Sequence, residues 1–144
     1  MMVFIRLFCL VAIGSGVSLI GCKKDEHPPR FQVTGKVLFP DGEPVRTGVV
    51  EFIPNRGNLT AHGVIDSDGK YQLSTIDSND GACAGQYTVI VKQFVFYDKI
   101  PEQKHSHGGD VSTRFADERT TPLRFEVKAQ DNEANFEVEY REKP

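Results

Sequence analysis

The chain has 144 residues, a formal net charge of −3 and 39% hydrophobic residues, with ten Phe among them. This composition excludes a disordered chain, and the length suits one domain that buries a sizeable core. The 17 basic and 20 acidic residues are interspersed along the chain. Because no basic block is present to bind a phosphate backbone, nucleic acid is excluded as a partner.

The N-terminal segment has the pattern of an export signal. Arg6 precedes an apolar run, 7–20, which is shorter than the roughly 20 residues that a membrane-spanning helix needs. The run stops at Gly21, and the charged, Pro-containing stretch 22–30 predicts a spacer. The compact domain is therefore expected to begin at Phe31.

Leu19-Ile20-Gly21-Cys22 resembles the lipobox of bacterial lipoproteins. The resemblance implies that 1–21 is a cleaved signal peptide and that Cys22 carries the lipid, whose several acyl chains hold the protein at a membrane. Lys23 stands where that family has Asp for inner-membrane retention, which favours the outer membrane. We expect a lipoprotein facing the periplasm or the cell exterior; an ordinary secretory signal and a transmembrane anchor remain the alternatives.

The three cysteines predict no intramolecular disulfide. Cys9 lies in the signal and Cys22 is the expected lipid site, so Cys83 has no partner. Cys83 is predicted to be a small loop or core residue, because a nucleophilic Cys needs a base beside it.

From Phe31 onward, apolar and polar residues alternate with a period of two, which is the pattern of strands with one buried face. Strands are expected at 31–39, 48–53, 59–65, 70–75, 87–92 with an extension to 96, 123–128 and 134–141. Turn sequences separate these segments. The sequence thus predicts an all-β domain over 31–141, a seven-stranded antiparallel β-sandwich.

A series of motifs follows along this domain: Val33-Thr34-Gly35-Lys36-Val37, Pro40-Asp41-Gly42-Glu43-Pro44, Asp66-Ser67-Asp68-Gly69-Lys70-Tyr71-Gln72-Leu73, Gly85-Gln86-Tyr87-Thr88-Val89-Ile90-Val91 and Arg114-Phe115-Ala116-Asp117. Their order resembles carboxypeptidase-regulatory-like domains of small bacterial lipoproteins. The resemblance implies a transthyretin-like fold. Members of this kind mostly have no assigned activity, so it implies little about function.

Two acidic motifs resemble the start of calcium loops, Asp66-x-Asp68-Gly69 and Asp77-x-Asn79-Asp80-Gly81. A calcium loop is usually closed by a Glu about twelve residues from its first ligand, and neither motif has one. The first motif is therefore predicted to be a hairpin turn in which Gly69 takes a positive φ.

His105 and His107 can face the same way on an extended segment and, with Asp110 nearby, hold zinc or copper. Two imidazoles do not complete a site, so a solvated loop without cofactor is expected, and a metal-handling lipoprotein is the alternative. The same irregular stretch begins with Phe94 and Phe96. These two residues are expected to continue the core face of the fifth strand and to leave Val95 and Tyr97 facing outward as a partner surface.

An enzyme is the remote alternative. Tyr140-Arg141 resembles the start of the C-terminal tail of 5-hydroxyisourate hydrolase, which has the transthyretin fold, but His62, His105 and His107 do not match that enzyme's motifs. The sequence shows no nucleophile–base constellation. We therefore expect a non-catalytic cell-envelope module that is structural or that binds an envelope protein or polysaccharide.

Overall fold

The structure is a computed structural model, which describes residues 27–94 and 109–142. Several predicted site residues lie outside these ranges: Cys22, Val95, Tyr97, His105 and His107.

The described residues form an all-β fold, as the alternation predicts. The strands are β1 (Arg30–Phe31), β2 (Val33–Leu38), β3 (Gly48–Pro54), β4 (Ala61–Ile65), β5 (Lys70–Gln72), β6 (Ala82–Cys83), β7 (Gly85–Lys92), β8 (Arg124–Val127), β9 (Asn132–Glu133) and β10 (Phe136–Glu137). A single turn of 3-10 helix at Thr113–Ala116 buries Phe115 against the core.

Two four-stranded sheets carry the fold. One has the order β4-β3-β7-β8, and the other has the order β10-β2-β5 with β9 also paired to β2. The strands β1 and β6 form a separate antiparallel pair. His62 and Ser74 exchange backbone hydrogen bonds of 2.9 and 2.8 Å, which join the two large sheets along one side.

The apolar faces of the two sheets pack against each other around Phe52. The Phe52 ring, on β3, lies 5.9 Å from the Phe136 ring and 6.5 Å from the Tyr71 ring, both on the opposite sheet. The rings of Tyr87 and Phe125 complete the cluster at 5.7 Å each. Tilted aromatic pairs at these distances add to the free energy gained from burial.

The prediction of a wholly antiparallel arrangement is wrong. The strands β9 and β10 both run parallel to β2. The chain crosses from β8 to the other sheet through a turn that Asn132 stabilises, since its side chain accepts from Lys128 N and donates to Gln130 O. Beside it, Asn135 Oδ1 accepts from Lys36 N at 2.9 Å and fills the gap between β9 and β10.

The strand boundaries differ from the seven predicted segments. The first segment is divided at Gln32, the last is shortened to Phe136–Glu137, and neither β6 nor β9 was predicted. β6 has only two residues, which is too short for alternation to be recognised. The third segment begins at Ala61 and the fourth ends at Gln72.

Strand β7 departs from simple alternation because both of its faces are buried. Thr88 is 8% exposed and Ile90 is 3% exposed, although a period of two with Val89 and Val91 in the core places both on the opposite face. The strand is central, with β3 on one side and β8 on the other. It ends at Lys92, and Phe94 is 43% exposed, so the expectation that Phe94 continues the core face is wrong. Val91 faces the core, so alternation beyond it would turn residue 93 toward the core and residue 94 away from it.

The Tyr71 hydroxyl makes a buried hydrogen bond across the β2 sheet. It donates to the Ala134 carbonyl at 2.6 Å, and burial raises the pKa of Tyr71. The space for the ring depends on Gly35 and Gly63, since a Cβ on Gly35 would collide with the Ala134 carbonyl and one on Gly63 would press on the ring.

We expect Tyr71→Phe to lower the free energy of unfolding by about 1–3 kcal/mol, because it removes a buried donor while the acceptor stays buried. Urea denaturation measures the change. The control is Tyr140→Phe, which removes a hydrogen bond from an exposed hydroxyl to Asp41 and should cost less. Equal costs for the two variants would contradict this role of Tyr71.

Candidate functional site

A concave polar surface crosses the outer faces of β2, β5 and β4. We call it the outer groove; its volume is about 600 Å³. Alternation in β2 turns Thr34 and Lys36 outward, and the β2–β5 register places them opposite Gln72 and Lys70. His62 lies on the adjoining strand β4 and also lines the groove.

The ionic side chains of the outer groove balance one another. Lys36 and Lys70 lie directly opposite each other, an arrangement of like charges that costs free energy. Asp66 and Glu133 line the same groove and supply the opposite charge. The formal charges of the Lys, Asp and Glu side chains in the described lining therefore sum to zero, which favours a neutral polar ligand over a strongly charged one.

Amide side chains give the outer groove its hydrogen-bonding capacity. Gln72 Nε2 donates to Gln32 Oε1 at 2.7 Å, and Gln32 Nε2 donates to the Asn79 carbonyl at 2.8 Å, so these amides are held in fixed orientations. Val64, 71% exposed, adds an apolar contact on the same surface. Planar amides beside a small apolar patch suit a ligand such as a sugar, which has both hydroxyl groups and C–H faces.

The motif beginning at Asp66 is a turn, as predicted. Asp66 Oδ1 accepts hydrogen bonds from Asp68 N at 2.8 Å and Lys70 N at 2.9 Å. Gly69 has a φ of 76°, which a residue with a Cβ rarely adopts. The Asp66 carboxylate therefore organises its own hairpin.

The second acidic motif is also structural. Asp80 accepts from the backbone N–H of Thr75 at 2.6 Å, Asp77 at 3.0 Å and Ile76 at 3.1 Å, and its Oδ2 lies 2.7 Å from Arg30 Nε. Burial acts to raise the pKa of the Asp80 carboxyl, but these hydrogen bonds and the Arg30 charge outweigh it and hold the pKa below its ordinary value. The contacts tie β1, where the N-terminal segment joins the domain, to the loop after β5.

The predicted metal residues are only partly placed. Asp110 is exposed, and its carbonyl accepts from Arg141 N at 2.7 Å, while His105 and His107 lie outside the described residues. Within 27–94 and 109–142, no three His, Cys, Asp or Glu side chains are grouped to hold a metal ion. A metal site at this loop stays a prediction.

Cys83 lies on β6 as a partly exposed free thiol. Burial raises the pKa of this thiol, against a smaller opposing effect of Arg30. A raised pKa leaves the thiol protonated and weakly nucleophilic at neutral pH.

Tyr140 has structural contacts. Its ring stacks on Phe39 with the centroids 3.9 Å apart, and its hydroxyl donates to Asp41 Oδ2 at 2.7 Å. This hydrogen bond raises the pKa of Tyr140 to about 12.

A second groove lies at the end of the domain where the described chain begins. We call it the Pro28 groove; its volume is about 760 Å³, and its lining includes Pro28, Pro54, Arg56 and Leu59. Sequence reasoning missed both grooves. The available signal for the outer groove was the polar face of β2 and β5, which looks like any solvated strand face.

Comparison of the chain with models of protein families, with curated proteins and with solved structures gives no match. In the part of the chain that the structure describes, no helix has the length and apolar character needed to cross a membrane.

We expect Asp80→Asn to lower the free energy of unfolding at neutral pH by roughly 2 kcal/mol, because the Asp80 carboxylate accepts several hydrogen bonds and an ion pair. The folded-state pKa is lowered, so the contribution is complete above the unfolded pKa and disappears as the pH falls through the folded pKa. Urea denaturation at a series of pH values measures it.

The control for this prediction is Asp77→Asn, which removes a neighbouring exposed carboxylate. It should change stability little at any of these pH values. A difference between the Asp80→Asn protein and the unmodified protein that stayed constant down to strongly acidic pH would contradict the assignment.

Proposed function

We propose that the protein is a lipid-anchored module of the cell envelope, acylated at Cys22 and facing the periplasm or the cell exterior, with the outer membrane as its favoured site. Its domain is a transthyretin-like, carboxypeptidase-regulatory-like β-sandwich that binds an envelope polysaccharide and performs no catalysis. The lipobox-like motif supports the anchor, and the packing of two sheets around Phe52 supports the sandwich.

The observation that carries the binding proposal is the outer groove, whose charges cancel while its amides stay ordered. A neutral glycan gains hydrogen bonds from such a surface without having to displace a strong counter-charge. An envelope protein as partner is less favoured, since protein interfaces usually have an apolar, aromatic centre and the largest exposed apolar residue of this groove is Val64.

The state of the described hydroxyl and thiol groups supports a non-catalytic role. Tyr71 and Tyr87 donate to backbone carbonyls, and burial raises the pKa of both, that of Tyr87 to about 12. The pKa of the Cys83 thiol is also raised by burial. Groups with raised pKa values that already serve as structural donors are poor nucleophiles and bases at neutral pH.

We expect Cys22→Ala to move the protein from the membrane fraction to the soluble fraction, because the thiol that accepts the lipid is absent. Fractionation of the native cells, with mass spectrometry of the N-terminal peptide, measures both location and acylation. Cys83→Ala is the matched control and should remain in the membrane fraction. Retention of the Cys22→Ala protein in the membrane would contradict the anchor.

We expect neutral tetrasaccharides of glucose, mannose or N-acetylglucosamine to bind in the outer groove. Titration followed by amide chemical shifts should perturb β2 and β5, and raising the salt concentration should change the affinity little, since the ligand is uncharged. Gln72→Ala should weaken binding, whereas Glu126→Ala, an exposed change on β8, should not. Absence of shift changes with all three sugars would contradict the proposed ligand.

A further inference from the structure

The Pro28 groove lies at one end of the domain, formed by chain ends that the strand registers bring together. Pro54 at the end of β3 pairs with Tyr87 near the start of β7, and Asn55 N–H donates to the Gln86 carbonyl at 2.9 Å. Pro28 lines the same groove. The hairpin between β3 and β4 and the start of the described chain therefore share one end of the domain.

Other connections lie at the opposite end. Gly48 pairs with Ile65, which places the turn beginning at Asp66 at the far end of β3 and β4. Gln93, just beyond β7, donates to the Gly109 carbonyl at 3.1 Å and accepts from Val111 N at 2.8 Å. Both junctions with the segment 95–108 are thus remote from Pro28.

The lining of the Pro28 groove combines apolar surface with a single kind of charge. Leu59 and Pro54 supply apolar surface, and Arg56 is the one ionic side chain among its described lining residues. Next to Arg56, Gly57 has a φ of 96° and no atom within 4 Å of the place where its Cβ would be, and residues 55–58 are all exposed. A guanidinium beside apolar surface is complementary to a phospholipid, whose phosphate accepts hydrogen bonds from Arg and whose acyl chains are apolar.

The length of the preceding chain restricts where this groove lies. Pro28 lies six positions after Cys22, and an extended chain advances at most about 3.6 Å per residue, so the acylated residue lies within about 22 Å of the groove. This step rests on the proposed acylation of Cys22. The end of the domain that carries the Pro28 groove is then held beside the membrane.

We propose that the Pro28 groove docks on the phospholipid head groups of the membrane that holds Cys22, with the Arg56 guanidinium on a lipid phosphate and Leu59 against the glycerol region. The turn at Asp66 then points away from the membrane. The outer groove, on the side of the domain, remains open to a polymer.

The chain contains no tryptophan, so a single introduced Trp reports its own surroundings. Asn58→Trp places the reporter on the β3–β4 hairpin, and Ser67→Trp places a matched reporter on the exposed far turn. The full lipidated chain is purified from membranes and reconstituted in phosphatidylglycerol-containing vesicles with or without brominated acyl chains. We expect the Asn58→Trp protein to lose most of its fluorescence to bromine and the Ser67→Trp protein to lose almost none.

Arg56→Glu in the Asn58→Trp protein should reduce the quenching, while Arg141→Glu, a charge reversal at an exposed far residue, should leave it unchanged. Equal quenching of the two reporters, or an Arg56→Glu protein quenched as before, overturns the docking proposal while membrane anchorage stands. Failure of the protein without these substitutions to float with vesicles overturns both the anchorage and the docking.

Discussion

The hydrogen bond from the Tyr71 hydroxyl to the Ala134 carbonyl connects the segment between β9 and β10 to the sheet that contains β2 and β5. A phenol buried without an acceptor would cost about 1–3 kcal/mol, so the structure is more stable with the carbonyl at this point. That requirement fixes the crossing of the last segment beside β2. The same arrangement requires glycine at positions 35 and 63. A methyl group at Gly35 would collide with the Ala134 carbonyl, and one at Gly63 would come too close to the Gln72 carbonyl and the Tyr71 ring.

The all-β class and most strand positions could be predicted, because a period of two along the sequence reports directly on which side chains are buried. Pairing direction could not be, since β9 and β10 alternate in the same way whether they run parallel or antiparallel to β2. At this crossing the side chains of Asn132 and Asn135 accept hydrogen bonds from backbone N–H groups. Asn in a sequence is typical of a turn, but it does not indicate which strand the following residues pair with or in which direction.

The Asp66 motif was interpreted correctly as a hairpin turn, and the carboxylates of both Asp66 and Asp80 accept hydrogen bonds from backbone N–H groups. The outer groove could not be predicted in the same way. Its residues come from strands far apart in the chain, and only the register of Lys36 with Lys70 shows that they share a surface. Sequence alone assigns such residues to solvent.

Gln93 closes a ring of chain by holding both Gly109 and Val111 through one amide. The stability of the sheets therefore depends little on the number of residues between Gln93 and Gly109, since each doubling of the length of such a connection costs only about 0.6 kcal/mol. We therefore expect this connection to tolerate insertions. A longer peptide, an epitope or a small domain inserted there should leave the two sheets unchanged.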